Sequence, residues 1–457
     1  MEQTFTLQQK LKQFIRILLP ILVTQTLLQA MSFFDSTMSG QAGTKDLAGV
    51  AIGVNLWLPV QTGLNAVLLA VTPMVAQLLG AREEDKIAGV IIQALYLSLF
   101  ISLLVIGLGV FIIKSVLARL NLEAAVELIA FRYLAALGLG IVPCFAYTVL
   151  RAFIDALGQT KMTMLITFLT LPLNVVLKYA FIFGKFGLPK LGGVGAGVAT
   201  SLTYWLILLI AMTVTIKLEP FKKYKIFSAF FPISHAKQRE IIKLGLPMGL
   251  ATFAETAVFS VVTLLMSIFN TATIAAHQAA MNFEAFFFMA PLSISMTLTI
   301  LVGFEVGAQR FSDARKYQQI GLSISISFAV FCGLSIFLLK EQVALVYSKD
   351  PAVITLIQQF LIYAVFFQFS DALATPSQGI LRGYKDVMIP SVIAFTAHWL
   401  VGLPLGFFLA NYTLLGPFGY WVGLITGVAG AALALFSRLI WLNSKYFAVN
   451  YSQKGTK

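Results

Sequence analysis

Apolar runs long enough to cross a bilayer recur from one end of the chain to the other, separated by short polar breaks. We read twelve of them: 14–38, 47–79, 88–113, 128–150, 162–184, 194–216, 241–268, 273–306, 318–339, 353–378, 388–411 and 417–442. A helix needs about 20 apolar residues to span hydrocarbon, and each run is of that order. A membrane barrel would show short alternating segments instead. The longest hydrophilic stretch, from Lys217 to Lys243, separates six runs from six. One constant offset pairs Pro20 with Pro247, Ala48 with Ala275, Asn55 with Asn282, Thr72 with Thr299 and Gly80 with Gly307. A slightly longer offset pairs Leu150-Arg151 with Leu381-Arg382. An almost ungapped run of matches through two successive spans reads as an internal repeat. The expected fold class is an all-α membrane protein, with twelve transmembrane helices in two six-helix pseudo-symmetric lobes. The expected organisation is an N-terminal lobe over 1–220, a cytoplasmic linker over 221–239 and a C-terminal lobe over 240–457. An even number of spans per half relates the halves by an axis along the membrane normal, as in transporters that bind substrate between two halves.

Composition fits this pattern. The 457 residues are 59% hydrophobic and 11% charged, with a mean hydropathy of +0.88; a soluble domain is about a quarter charged. The first residues, MEQTFTLQQKLKQ, are polar and do not read as a secretory leader. The net charge of +13 raises the question of nucleic acid. Its distribution answers it. With the N-terminus inside, the outer loops carry only Lys45, Lys114, Arg119, Lys185, Lys190, Lys340 and Lys349, and most other basic residues lie inside. That bias predicts both termini in the cytoplasm and no nucleic-acid partner. Cys144 and Cys332 both fall within apolar runs and read as small buried hydrophobes.

The candidate chemistry lies in the exceptions to the apolar pattern. Asp35, Glu255 and Asp371 sit within spans, where an ionised side chain costs about 2.5–3.5 kcal/mol at mid-depth. Each lies on a polar stripe. Gln25, Gln29, Ser32 and Ser36 share a helical face in the first span, with Asp35 at its edge. Thr252 and Glu255 lead into Thr256, Ser260, Thr263 and Ser267 in the seventh. Gln368, Asp371, Thr375 and Gln378 form the tenth-span stripe. Oxygen-rich surroundings suit a hard cation such as sodium, or a proton relay. The plainer reading of the hydroxyls and amides is hydrogen bonding between helices, although such adhesion does not require a charge. Glu284, among aromatic neighbours in the eighth span, either lines a cavity or pairs with Lys178 of the fifth. Glu305, near Arg310, reads as a solvated charge at a helix end. His277 and Gln278 open the eighth span, with an ion path and core packing as the two readings. No P-loop, nucleophile–base pair or metal-ligand spacing occurs, so no enzyme activity and no cofactor are expected.

Several strings carry a family resemblance. FFDSTMSG in the first span, FAETAVFS in the seventh, IAAHQAAMNFEAFFFMAPLSIS in the eighth, LRGYKD and KFGLPKLGGVGAGVATSLTYW resemble the MATE (multidrug and toxic compound extrusion) family. The last string and FSDALA resemble its NorM branch. The resemblance covers nearly the whole chain. It implies a V-shaped, monomeric antiporter in the bacterial cytoplasmic membrane. Such an antiporter exports cationic amphiphilic drugs and dyes in exchange for sodium ions or protons. It implies a coupling-cation site at Glu255 and Asp371, with Thr252, Thr256 and Thr375 as neighbours, and sodium held there if sodium is the coupling ion. It implies that Asp35 responds to protonation or substrate, and that Asn174 and Asn282 occupy polar cavity positions. Two departures stand out. Phe367 replaces a tyrosine of NorM-type relatives, and Glu284 replaces a serine. A lipid-linked-oligosaccharide flippase of the same superfamily is the alternative, and would need a cationic cavity. A channel or structural membrane protein is the alternative from another class.

Overall fold

The computed structural model describes residues 3–120, 122–227 and 231–454. Within helices, the side chains of Ser32, Phe33, Asp35 and Ser36, and of 447–454, lie outside the described residues. All regular structure among the described residues is helical. The first stretch of chain forms α1 (Leu7–Ala42), α2 (Thr44–Leu68), α3 (Val71–Gly80), α4 (Ile87–Arg119), α5 (Ala124–Gly138), α6 (Ile141–Ala156), α7 (Thr160–Phe183) and α8 (Gly193–Lys217). The second forms α9 (His235–Met266), α10 (Thr271–Gly307), α11 (Phe311–Tyr347), α12 (Pro351–Gly383), α13 (Met388–Phe395), α14 (Leu403–Tyr412) and α15 (Phe418–Lys454). Hydrocarbon offers the backbone no hydrogen-bond partner, so each apolar run satisfies itself as a helix.

Among the described residues, eleven helical stretches are long and apolar enough to cross a membrane, and a bent pair brings the number to twelve. The protein is thus a multi-pass membrane protein. The bent pair is α5 and α6, which meet at 49° across Leu139 and Gly140. The sequence showed this as one continuous run, 128–150. The span over 388–411 is also irregular: a π-helical turn, Thr396–Gly402, separates α13 from α14. Large apolar side chains such as Phe111, Leu338 and Phe366 stand exposed on the outer faces, as a lipid solvent permits.

The chain divides into two compact units. One holds Leu19–Leu79 and Glu83–Gly249; the other holds Gly80–Arg82, Leu250 onward and the described residues before Leu19. The first part of α1 therefore groups with the later half of the chain. The reason is a cluster around Lys10. Its side chain is fully buried, and Nζ donates to Thr4 O and Thr4 Oγ1, both at 2.9 Å. Asp313 Oδ1 of α11 lies 3.1 Å away, and the ammonium sits over the Tyr317 ring. Tyr317 Oη in turn donates to Gln13 Oε1. Removing one partner of such a pair strands the other, although Asp313 keeps some access to solvent. Lys10→Met is expected to lower stability by about 1–2 kcal/mol. A thermal melt in detergent checks this, and a melt identical to the wild type contradicts it.

The hydrophilic connector packs against the first unit. Gln93 Nε2 of α4 donates to Pro232 O, and Ser234 N donates to Gln93 Oε1. Phe221 and Tyr224 are buried with their rings edge-on to Phe153 of α6. Lys223 pairs with Glu84, which raises the Lys223 pKa above its ordinary value. Ser228, Ala229 and Phe230 lie outside the described residues.

Candidate functional site

In the second unit, α12 carries Gln368, Asp371, Thr375, Gln378 and Arg382 at spacings that keep them near one face. The helix is pressed against α10. A Cβ at Gly379 would come within 2.3 Å of Ser295 O, so glycine is required for this approach. Thr299 Oγ1 adds a 2.9 Å bond to the Gly379 carbonyl. The polar face of α12 is thereby held in fixed register beside Glu284 on α10.

Asp371 is only 7% exposed. Its Oδ1 accepts a 2.7 Å bond from Thr375 Oγ1, while Oδ2 is buried with no partner. Glu255 on α9 is half-buried, and its Oε1 accepts a 2.9 Å bond from Gln378 Nε2. Asp371 lies within electrostatic reach of Glu255 on one side and Glu284 on the other. Glu284 is 8% exposed, and its Oε1 has no partner. Gln368 is 3% exposed, with neither amide atom partnered. Each buried polar atom without a partner costs about 1–3 kcal/mol. Such atoms are rare in folded proteins, and here Glu284, Gln368 and Asp371 together carry four of them on two packed helices, with a fifth, Glu305 Oε1, at the end of α10. The donor set is all oxygen apart from the amide nitrogens of Gln368 and Gln378. Among the described residues, no three His, Cys, Asp or Glu side chains gather closely enough to hold one metal ion. A cation at Asp371 and Glu255 would therefore draw its remaining ligands from hydroxyls, amides, carbonyls or water.

The other expected residues are placed as follows. Phe367 is buried and stacks edge-on to Phe259 and Trp421. Its ring fills an aromatic cluster and offers the acids no oxygen. Thr252 and Thr256 are half-buried, and Thr256 Oγ1 donates to the Thr252 carbonyl. Ser260 likewise bonds back to Thr256 O. These two hydroxyls each return a bond to their own helix, while Thr263 of the same stripe meets His277 of α10. Gln278 and Asn282 are exposed. His277 is fully buried between Thr263 and Trp421, whose Nε1 donates to His277 Nδ1 at 3.1 Å. That is the packing reading. Glu305 departs from expectation: it is 1% exposed and accepts a 2.5 Å bond from Arg310 Nε. The end of α10 is covered by packed neighbours, so this charge is paired rather than solvated.

In the first unit, Asn174 is buried, and its Nδ2 donates to Thr203 Oγ1 at 2.9 Å. Lys178, also buried, donates from Nζ to Met31 O of α1 at 3.1 Å. Glu284 takes its electrostatic influence from Asp371. The Asp35 side chain lies outside the described residues. Two features escaped the sequence reading. Arg151 donates to Gln25 Oε1 at 2.8 Å and lies 3.4 Å from Asp155. In the second unit, Arg382 donates to Gln378 Oε1 at 3.0 Å, and Arg438 pairs with Asp386 at 2.8 Å. The offset that aligns Leu150-Arg151 with Leu381-Arg382 also aligns Asp155 with Asp386. That was the available signal.

The comparisons with known proteins agree with this architecture. The MatE family profile matches residues 20–180 and 247–408, two segments whose starts share the offset that pairs Pro20 with Pro247. A "Probable multidrug resistance protein NorM" of Halalkalibacterium halodurans is 53% identical over 456 residues and covers all of both chains. Its namesake in Bacillus subtilis is 52% identical over 446 residues, 98% of this chain and 99% of that one. Among solved structures, the outward-facing conformation of a multidrug resistance MATE family transporter of the MOP superfamily superposes with a TM-score of 0.88. The match has 18% identity and covers 98% of this chain and 100% of that one. The eukaryotic MATE transporter AtDTX14 gives a TM-score of 0.84 at 20% identity, covering 95% and 96%. With both halves matched by one profile and whole-length relatives above half identity, this chain belongs to the MATE family.

Proposed function

We propose that this protein is a secondary active multidrug efflux antiporter. It exports cationic amphiphilic drugs and dyes in exchange for sodium ions or protons. It works as a monomer in the bacterial cytoplasmic membrane, with both termini cytoplasmic. The relatives' name, multidrug resistance protein, supports the substrate class. The observation that carries the coupling is Asp371: a buried carboxyl on an apolar span, with one oxygen unpartnered and Glu255 nearby. Such a group persists at its cost where it binds a cation or a proton during function. Glu255 and Asp371 form the coupling site, with Thr375 as a neighbouring hydroxyl, and Asp35 answers to protonation or substrate in the first unit. Thr252, Thr256, Gln278, Asn282, Asn174 and Glu284 contribute polar contacts to substrate or ion. Coupling follows if cation and drug favour different states of the protein.

Ethidium efflux from proteoliposomes, under a sodium gradient and a pH gradient imposed separately, tests this. Export driven by one of the two gradients is expected, and identifies the ion. Absence of export under both, with well-folded protein, overturns the reading.

A further inference from the structure

We propose that Glu284, Gln368 and Asp371 form a sodium site in the seam between α10 and α12, with Gln368 supplying a neutral amide oxygen. The proposal rests on the reading of Asp371 as a coupling carboxyl, and it names the ion.

The register of the two helices brings these side chains together. Ser295 lies against Gly379, and Gly303 lies against Gly383. The contacts advance in the same chain direction, so α10 and α12 run parallel. Glu284 and Gln368 each lie eleven residues before the Ser295–Gly379 contact. That distance is close to three full turns, so both positions return to the azimuth of the contact within about 20°. They therefore face one another across the seam. Pro291 and Pro376 both fall between these positions and the contact, and Glu284 stays within electrostatic reach of Asp371. Asp371 follows Gln368 by about one turn on the same helix.

What these side chains lack points to the ligand. Each is more than nine-tenths buried. Glu284 Oε1, Asp371 Oδ2 and both amide atoms of Gln368 have no hydrogen-bond partner. All but one of these atoms are oxygens, and two of the oxygens belong to carboxyls. The neighbouring amide and hydroxyl are already engaged: Thr375 donates to Asp371 Oδ1, and Gln378 donates to Glu255 Oε1. The partner that suits this set is therefore a cation. Burial between two packed helices excludes one of drug size. Calcium takes roughly six to eight oxygens, more than three side chains supply. A small monovalent cation fits. Phe367 offers it no oxygen, because its ring packs against Phe259 and Trp421. The next residue, Gln368, has a free amide oxygen for that purpose. An amide is a donor and acceptor that does not titrate, so its place in the set suits a sodium ion better than a proton relay.

The test uses full-length purified protein in detergent. Melting temperature is followed against sodium chloride, with choline chloride keeping ionic strength constant. An ion that binds only the folded protein raises the melting temperature. Sodium is expected to do so for the wild type, and potassium to do so less. Gln368→Leu is expected to need on the order of tenfold more sodium for half the effect. In choline chloride alone it should melt at or above the wild type, because it removes an amide that has no partner. Glu284→Gln should weaken the sodium response by a similar factor, and it decides on the same readout if Gln368→Leu does not fold. No sodium response in the wild type, or an undiminished one in either variant, overturns the proposal. So does a Gln368→Leu melt lowered equally in both salts, which is the signature of a residue that only packs the seam. Proton-driven efflux by a wild type without a sodium response would leave the antiporter reading standing. A sodium response without efflux under either gradient would sink that reading and leave the site.

Discussion

Replacing Asp371 with Asn is expected to abolish ion-coupled export while leaving a folded, membrane-inserted protein. The substitution is nearly isosteric. It keeps an acceptor for the Thr375 hydroxyl, which donates to Oδ1 at 2.7 Å. It removes the charge and the capacity to take up a proton or hold a cation at Oδ2, the atom buried without a partner. Coupling between two ligands is worth about 1–3 kcal/mol. Losing one side of it predicts a fall in gradient-driven ethidium efflux of roughly 100-fold. Stability should move the other way or not at all, since a buried acid with Glu255 and Glu284 close by is an unfavourable group to fold around. Melting temperature and efflux measured on one preparation separate the two effects. Efflux at the wild-type rate would remove Asp371 from the coupling site.

Gly379→Val is expected to have the opposite profile, with fold and export lost together. A Cβ at this position would lie 2.3 Å from Ser295 O and 2.5 Å from Ser295 Oγ. Backbone cannot yield as a flexible side chain can, so α10 and α12 must separate. Overpacking of this kind costs about 1–3 kcal/mol, and more when two helices must shift. The Thr299–Gly379 bond is strained by the same movement. The loss should exceed about 3 kcal/mol. It should appear as poor recovery of monodisperse protein and a sharply lower melting temperature, with Gly379→Ala between the two. A Val variant that melts like the wild type would show that the contact can relax.

The parts of the fold legible in the sequence were those that lipid dictates. Apolar runs become helices because the backbone has no alternative in hydrocarbon, and the spacing of Gln368, Asp371, Thr375 and Gln378 places them near one face. What was not legible depended on neighbours. The run 128–150 bends between Gly138 and Ile141, where Ser201 of α8 packs so closely that a Cβ at Gly140 would lie 2.7 Å from its Oγ. Glu305 looked like a solvated end charge because sequence does not show that the end of α10 is covered. The Ser260 hydroxyl looked like a contact between helices, yet it bonds to its own helix. The acids themselves were visible as charges in apolar runs. Their partners were not, because Gln378 becomes a partner of Glu255 only once α9 and α12 are packed.

The π turn at Thr396–Gly402 has a consequence for length. Such a turn carries one residue more than an α turn, so the side chains beyond it are offset from those before it. That offset lets Trp399 reach Ala254 O while Gly402 and Gly406 both lie against Gly423 of α15. Deleting a single residue here would restore a uniform helix and turn everything after it by about 100°. The glycine seam would leave α15, and the tryptophan would leave the backbone beside Glu255. The segment is a spacer whose count matters more than its composition, open to substitution at several of its positions and closed to insertion or deletion.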